Sequence, residues 1–208
     1  MTKSYKKGKR PSLCVFANFQ INNQERLIRL KDSFHSFEGY KPDQWEINIR
    51  GSLKEHAGKF LRNFLGDKLN LSFQNSKEGW IYDSKNLSKN IKTDLVMTWV
   101  EDHIFMNSNK HFEEVLKEMF LKKINCLHYS FHTEYNKKFF NSLPVDYSGE
   151  YLKSWKFNKE LTQKYCKKYF SEKYSIPLMS IMTLQFFNEV LYCQKPYFKR
   201  WHKSYPFD

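Results

Sequence analysis

Glu101, Asp102 and His103 stand together at the end of an apolar run, "DLVMTWV", that begins at Asp94. Two carboxylates and an imidazole in consecutive positions are oxygen and nitrogen donors suited to a hard or borderline divalent ion, Mn2+ or Mg2+. An ion held at a strand end can bridge phosphate oxygens and neutralise charge as a phosphate departs. As an isolated triplet, the same groups are equally at home in solvent or at the start of the next segment. A second signal is "HYSFHTE", with His128, His132 and Glu134. On a helix the i,i+4 histidines would suit zinc. The alternating aromatics around them read instead as a strand, on which both histidines still share a face. Cys14, Cys126, Cys166 and Cys193 form no C-x-x-C pair, so a zinc knuckle or ribbon is not supported.

The elements that must position the triplet alternate in type. "SLCVFANFQ" reads as a buried strand, and "NNQERLIRLKDSFHSF" as a helix through Leu27, Leu30, Phe34 and Phe37, capped by Asn22 or Asn23. "QWEINIRG" alternates Trp45, Ile47 and Ile49 against polar neighbours, a second strand. "SLKEHAGKFLRNFLG" is amphipathic and ends at Gly66. "LNLSFQNS" supplies a third strand, Trp80 to Lys92 a helix, and the run before Glu101 a fourth strand. Strands alternating with helices imply right-handed crossovers and a mostly parallel sheet, in which ligands bind beyond the carboxyl ends of the strands. That rule places Asn18 to Asn22, Arg50, Asn75 to Glu78 and the triplet along one edge. Farther on, "HFEEVLKEMFLKKIN" reads as a helix and "CLHYSFHTEY" as a strand. "SGEYLKSWKFNKELTQKYCKKYFSEKY" and "LMSIMTLQFFNEVLY" both read as helices.

The formal net charge of +13 favours polyanionic partners: nucleic acid, anionic headgroups or phosphorylated small molecules. The densest basic block is the opening "MTKSYKKGKR", and the other lysines are dispersed. A basic nucleic-acid-binding protein without catalysis is the non-enzymatic alternative. It is disfavoured by the absence of any RRM, KH, helix-turn-helix or zinc-finger signature. No Walker-type or dinucleotide-binding glycine loop occurs, which leaves a nucleotidyltransferase as the competing enzymatic reading. No apolar run reaches the length of a membrane span. Together with free cysteines this makes a cytoplasmic setting the expectation.

The stretch from Leu13 to His103 resembles the nucleotide-sugar-binding half of a GT-A glycosyltransferase of the family 2 type. Lys85 and Asn86 stand where that family has a basic-Asn pair, and Glu101-Asp102-His103 stands as a variant of its DxD motif. The resemblance implies an α/β three-layer sandwich with a mostly parallel central sheet and a helical C-terminal region. It implies a basic flexible arm over 1–11 and one catalytic domain over 12–208. That domain would be divided into a nucleotide-sugar half (12–105) and an acceptor-side half (106–208). It further implies that Asn18 and Asn22 lie near the nucleoside, Arg50 near the base or a phosphate, and Lys85 and Asn86 near the diphosphate. Asp102 with Glu101 or His103 would hold Mn2+ or Mg2+. For an inverting transfer a carboxylate base is needed, and Asp146, Glu150 and Glu189 are eligible. The implied activity moves a sugar from a nucleotide diphosphate sugar to a glycan or lipid-linked acceptor. Basic and aromatic segments such as Tyr197 to Phe207 would serve for peripheral contact with the inner face of a membrane.

Overall fold

The computed structural model describes residues 10–106, 109–129, 140–156, 158, 160–161, 180–192, 199–200 and 203–204. The expectations for His132, Glu134, Cys166 and Cys193 fall outside these residues. The first half runs β1 (Leu13–Gln20), α1 (Gln24–His35), β2 (Gln44–Arg50), α2 (Lys54–Leu65), β3 (Leu69–Ser72), α3 (Trp80–Ser88) and β4 (Leu95–Thr98). The second contains α4 (Asn109–Leu121), β5 (Cys126–His128), β6 (Tyr147–Ser148), β7 (Lys153–Ser154), β8 (Ser180–Thr183) and α5 (Leu184–Leu191). A short pair, β9 (Lys199–Arg200) and β10 (Lys203–Ser204), follows. Six strands form one sheet in the order β3-β2-β1-β4-β8-β5. β1 pairs in parallel with β2 and β4, and β2 with β3, while β8 runs antiparallel between β4 and β5. This is the expected α/β sandwich with a mostly parallel central sheet.

Alternation along β1 shows why both faces must be covered. Leu13, Val15, Ala17 and Phe19 join the core beneath α1, α2 and α4, and Cys14 and Phe16 join a second core with α3 and α5. Each helix contributes a stripe: Leu27, Leu30 and Phe34 from α1, Leu61 from α2, Leu87 from α3 and Phe187 from α5. Asn23, the second of the two candidate caps, accepts from the Arg26 amide and starts α1. Between β2 and α2, Gly51 has φ +99°, and a Cβ there would lie 2.3 Å from the Asn22 side-chain oxygen, so only glycine fits the turn.

Three expectations change. The polar residues of β2, Glu46 and Asn48, are buried, because α3 closes the face that the sequence pattern leaves to solvent. The start of the segment from Ser148 is the second half of a hairpin over 147–154, not a helix, whereas the described residues 160–161 farther on are helical. The Glu118 carboxylate of α4 accepts from the Tyr151 and Leu152 amides and holds the β6–β7 turn. The run containing "SIMTLQFFNEVL" divides. Ser180–Thr183 is a strand, and Thr183 caps α5 by accepting from the Phe186 amide. Hydrogen bonding to β4 and β5 on its two sides outweighs the helical periodicity there. No helix among the described residues is long and apolar enough to cross a membrane.

The buried strand amides on the α3 side are paired. Asn18 donates to the Trp80 carbonyl and the Ser84 hydroxyl, and accepts from Asn48, which itself holds Ser72 and Gln74. Glu46 accepts from Gln44, Asn70 and Asn90, tying β2 to β3 and to the turn after α3. Burial nevertheless raises its carboxyl above the ordinary value of 4.5, against the opposing pull of those three amides. Folding therefore strengthens proton binding at Glu46. Its stabilising contribution is complete below about pH 4.5 and is lost as pH rises through the higher folded value. Urea unfolding followed upward from about pH 4.5 is expected to show a downward slope of stability that Glu46→Gln removes. An unchanged slope in that variant would refute the assignment.

Candidate functional site at the end of the central strand

The parallel strands end on one edge, and β4 stops four residues short of β1: Phe16 pairs with Thr98, while β1 continues to Gln20. The Trp99 amide makes one more bond to the Phe16 carbonyl at 2.8 Å, and the chain then turns through Glu101 and Asp102. Helix α1 fixes this turn from three positions on one face. Arg26 Nη1 lies 2.7 Å from Glu101 Oε1, with Glu101 buried. The Ser33 hydroxyl donates to the His103 carbonyl and also accepts from the Trp99 indole at 2.8 Å. Ser36 Oγ accepts from the Phe105 amide at 2.8 Å. Beneath the turn, Phe37 and Trp99 pack edge to face at 5.6 Å, and Phe37 stacks on Phe105 at 5.2 Å.

The triplet is thereby split. Glu101 points to α1, whereas Asp102 and His103 line a cleft of about 600 Å3. Asp102 Oδ1 and His103 Nδ1 are 3.0 Å apart. The imidazole nitrogen still has no hydrogen-bond partner, because the carboxylate lies off its N–H direction. Two ligands about 2.1 Å from an octahedral ion stand about 3 Å apart when adjacent, so this spacing suits a shared cation. Among the described residues no group of three or more His, Cys, Asp or Glu side chains converges. The described residues therefore offer two converging donors at this point, Asp102 and His103.

The other expected site residues are dispersed. Arg50 ends β2 on the same edge, with its Nε buried and without a partner. Burial lowers its pKa, and the Asp83 carboxylate opposes the shift. Asn22 is exposed beside Gly51. Asn18 is on the edge, but its side chain is consumed by α3 and Asn48. Lys85 lies over the Tyr192 ring at 5.2 Å on the α3–α5 seam, and Asn86 accepts from Lys89. Asp146 pairs with Lys156 at 2.9 Å, Glu150 is exposed at the hairpin turn, and Glu189 accepts from Gln185 on α5. None of these three carboxylates is among the described residues lining the cleft. His128, at the end of β5, does line it, and burial lowers its pKa. Arg26, Ser33 and Ser36 had no signal in the sequence, since the contacts they make span 69 to 75 positions.

Similarity to solved structures follows the fold. The mannosyltransferase PcManGT from Pyrobaculum calidifontis, solved with GDP-Man and Mn2+, superposes with a TM-score of 0.43 at 14% identity, over 57% of this chain and 35% of that one. Residues 1–349 of S. aureus TarS superpose with a TM-score of 0.42 at 12% identity, over 55% of this chain and 34% of that one. The matched region spans about a third of either solved chain. No protein-family model and no curated protein sequence matches the chain.

Arg26→Ala would leave the Glu101 carboxylate without its cation, at a cost of about 1–3 kcal/mol. Amide exchange at 101–105 is expected to accelerate more than exchange in β1. Glu101→Gln keeps an acceptor for Arg26 and should cost less. Equal exchange in wild type and Arg26→Ala would show that α1 does not hold the turn.

Proposed function

We propose that the protein transfers a sugar from a nucleotide diphosphate sugar to a glycan or lipid-linked acceptor, with Mn2+ or Mg2+ at Asp102 and His103. The observation that carries this reading is the pair of donor atoms 3.0 Å apart at the end of the central strand, held at the mouth of a large cleft. A divalent ion there would supply charge neutralisation for the departing diphosphate. Asp102 and His103 would hold it. Arg26, through Glu101, and Ser33, through the His103 carbonyl, keep those two side chains in place without rearrangement when substrate arrives. Arg50, with an unsatisfied buried Nε, is the donor on the same edge suited to the base or a phosphate of the nucleotide. The surplus of positive charge favours approach of a polyphosphate.

Calorimetric titration of GDP and UDP with and without Mn2+ tests the reading. Binding of at least one nucleotide is expected only with metal, and to weaken by about tenfold or more in Asp102→Ala and in His103→Ala, equivalent to about 1.4 kcal/mol. Metal-independent binding that survives Asp102→Ala would overturn it.

A further inference from the structure

The cleft that receives Asp102 and His103 is lined mainly by apolar side chains, with Thr98, His128, Tyr129 and Ser180 as its other polar residues. Its walls include Phe37, Met97, Trp99 and Phe105. At its rim Ile104 is 56% and Met106 91% exposed. These two side chains carry the apolar surface of the cleft out to solvent beside Asp102 and His103. The Thr98 hydroxyl is taken up by the Ser180 backbone, donating to its carbonyl and accepting from its amide. A saccharide laid along these walls would leave most of its hydroxyls without partners, which is costly once water is excluded. A hydrocarbon chain would lose nothing there, and the volume is that of a small-molecule site.

Resting on the reading of the site as a glycosyl-transfer centre, we infer that the acceptor is a single-chain amphiphile. Its polar head lies at Asp102 and His103, and its apolar chain lies along Phe37, Trp99 and Phe105 and leaves past Ile104 and Met106. The net charge of +13 makes an anionic head the better match. The rim residues then act as the first contact for a chain drawn from a lipid surface, with no membrane-spanning helix required.

A brominated chain probes this directly, because bromine quenches indole fluorescence on contact and Trp99 is in the wall. Titration with 12-bromododecanoic acid, below the concentration at which it forms micelles, is expected to quench saturably. Most of the quenching amplitude should vanish in Trp99→Phe. The double variant Ile104→Asp/Met106→Asp, altered only at exposed positions, should weaken the titration by at least about tenfold, and maltose should not compete. Quenching that fails to saturate, that is unchanged in the double variant, or that maltose abolishes would overturn the inference. The Mn2+-dependent binding of GDP or UDP, measured on the same double variant, separates the two readings. The double variant is expected to keep that nucleotide binding; in the wild type, nucleotide binding without chain binding refutes the amphiphile alone, whereas loss of both refutes the transfer centre as well.

Discussion

Arg26 and Glu101 form the contact on which the site depends. A carboxylate buried just beyond the end of β4 is stable only with a cation beside it, and the cation comes from the first turn of α1. That pairing turns Glu101 toward the helix, and the turn at Glu101 and Asp102 leaves Asp102 and His103 lining the cleft. Ser33 and Ser36 extend the same constraint to the His103 carbonyl and the Phe105 amide. One helix face therefore determines which of three adjacent titratable residues are available for a ligand.

The sheet makes this arrangement stiff. Its two faces are covered by different means: a dense aromatic cluster with α1, α2 and α4 on one side, and a smaller apolar core under α3 and α5, with the paired amides of Asn18 and Asn48, on the other. The aromatic side lies directly under the turn, where Trp99 touches Phe19, Phe34, Phe37 and Trp45. On the other side, Asn18 and Asn48 link β1, β2 and the start of α3, so that the turns carrying Asn22 and Arg50 leave from fixed strands. A buried amide pair tolerates no shift in register, because each displaced donor would remain unsatisfied.

The first half of the chain was legible because its elements are local and strongly periodic. Leu27, Leu30 and Phe34 lie inward as their spacing requires, as do Trp45, Ile47 and Ile49. The second half was less so. The strand Ser180–Thr183 carries a helix-compatible pattern and becomes extended only because β4 and β5 offer hydrogen bonds on both sides. The hairpin over 147–154 likewise depends on Glu118, more than thirty positions away. Lys85, well placed by pattern, lies against Tyr192 on a seam that no local signal announces.

By itself, the sequence determined the succession of strands and helices and the accumulation of Glu101, Asp102 and His103 at a strand end. Hydrophobic periodicity and the abrupt end of an apolar run are properties of neighbouring residues. Only the tertiary structure decided which of those three side chains reach the cleft, that the cleft is lined by hydrocarbon, and that Asn18 is bound up inside the fold. Each of these outcomes is set by the partner that a polar group meets across the core, and such partners lie tens of residues apart in the chain.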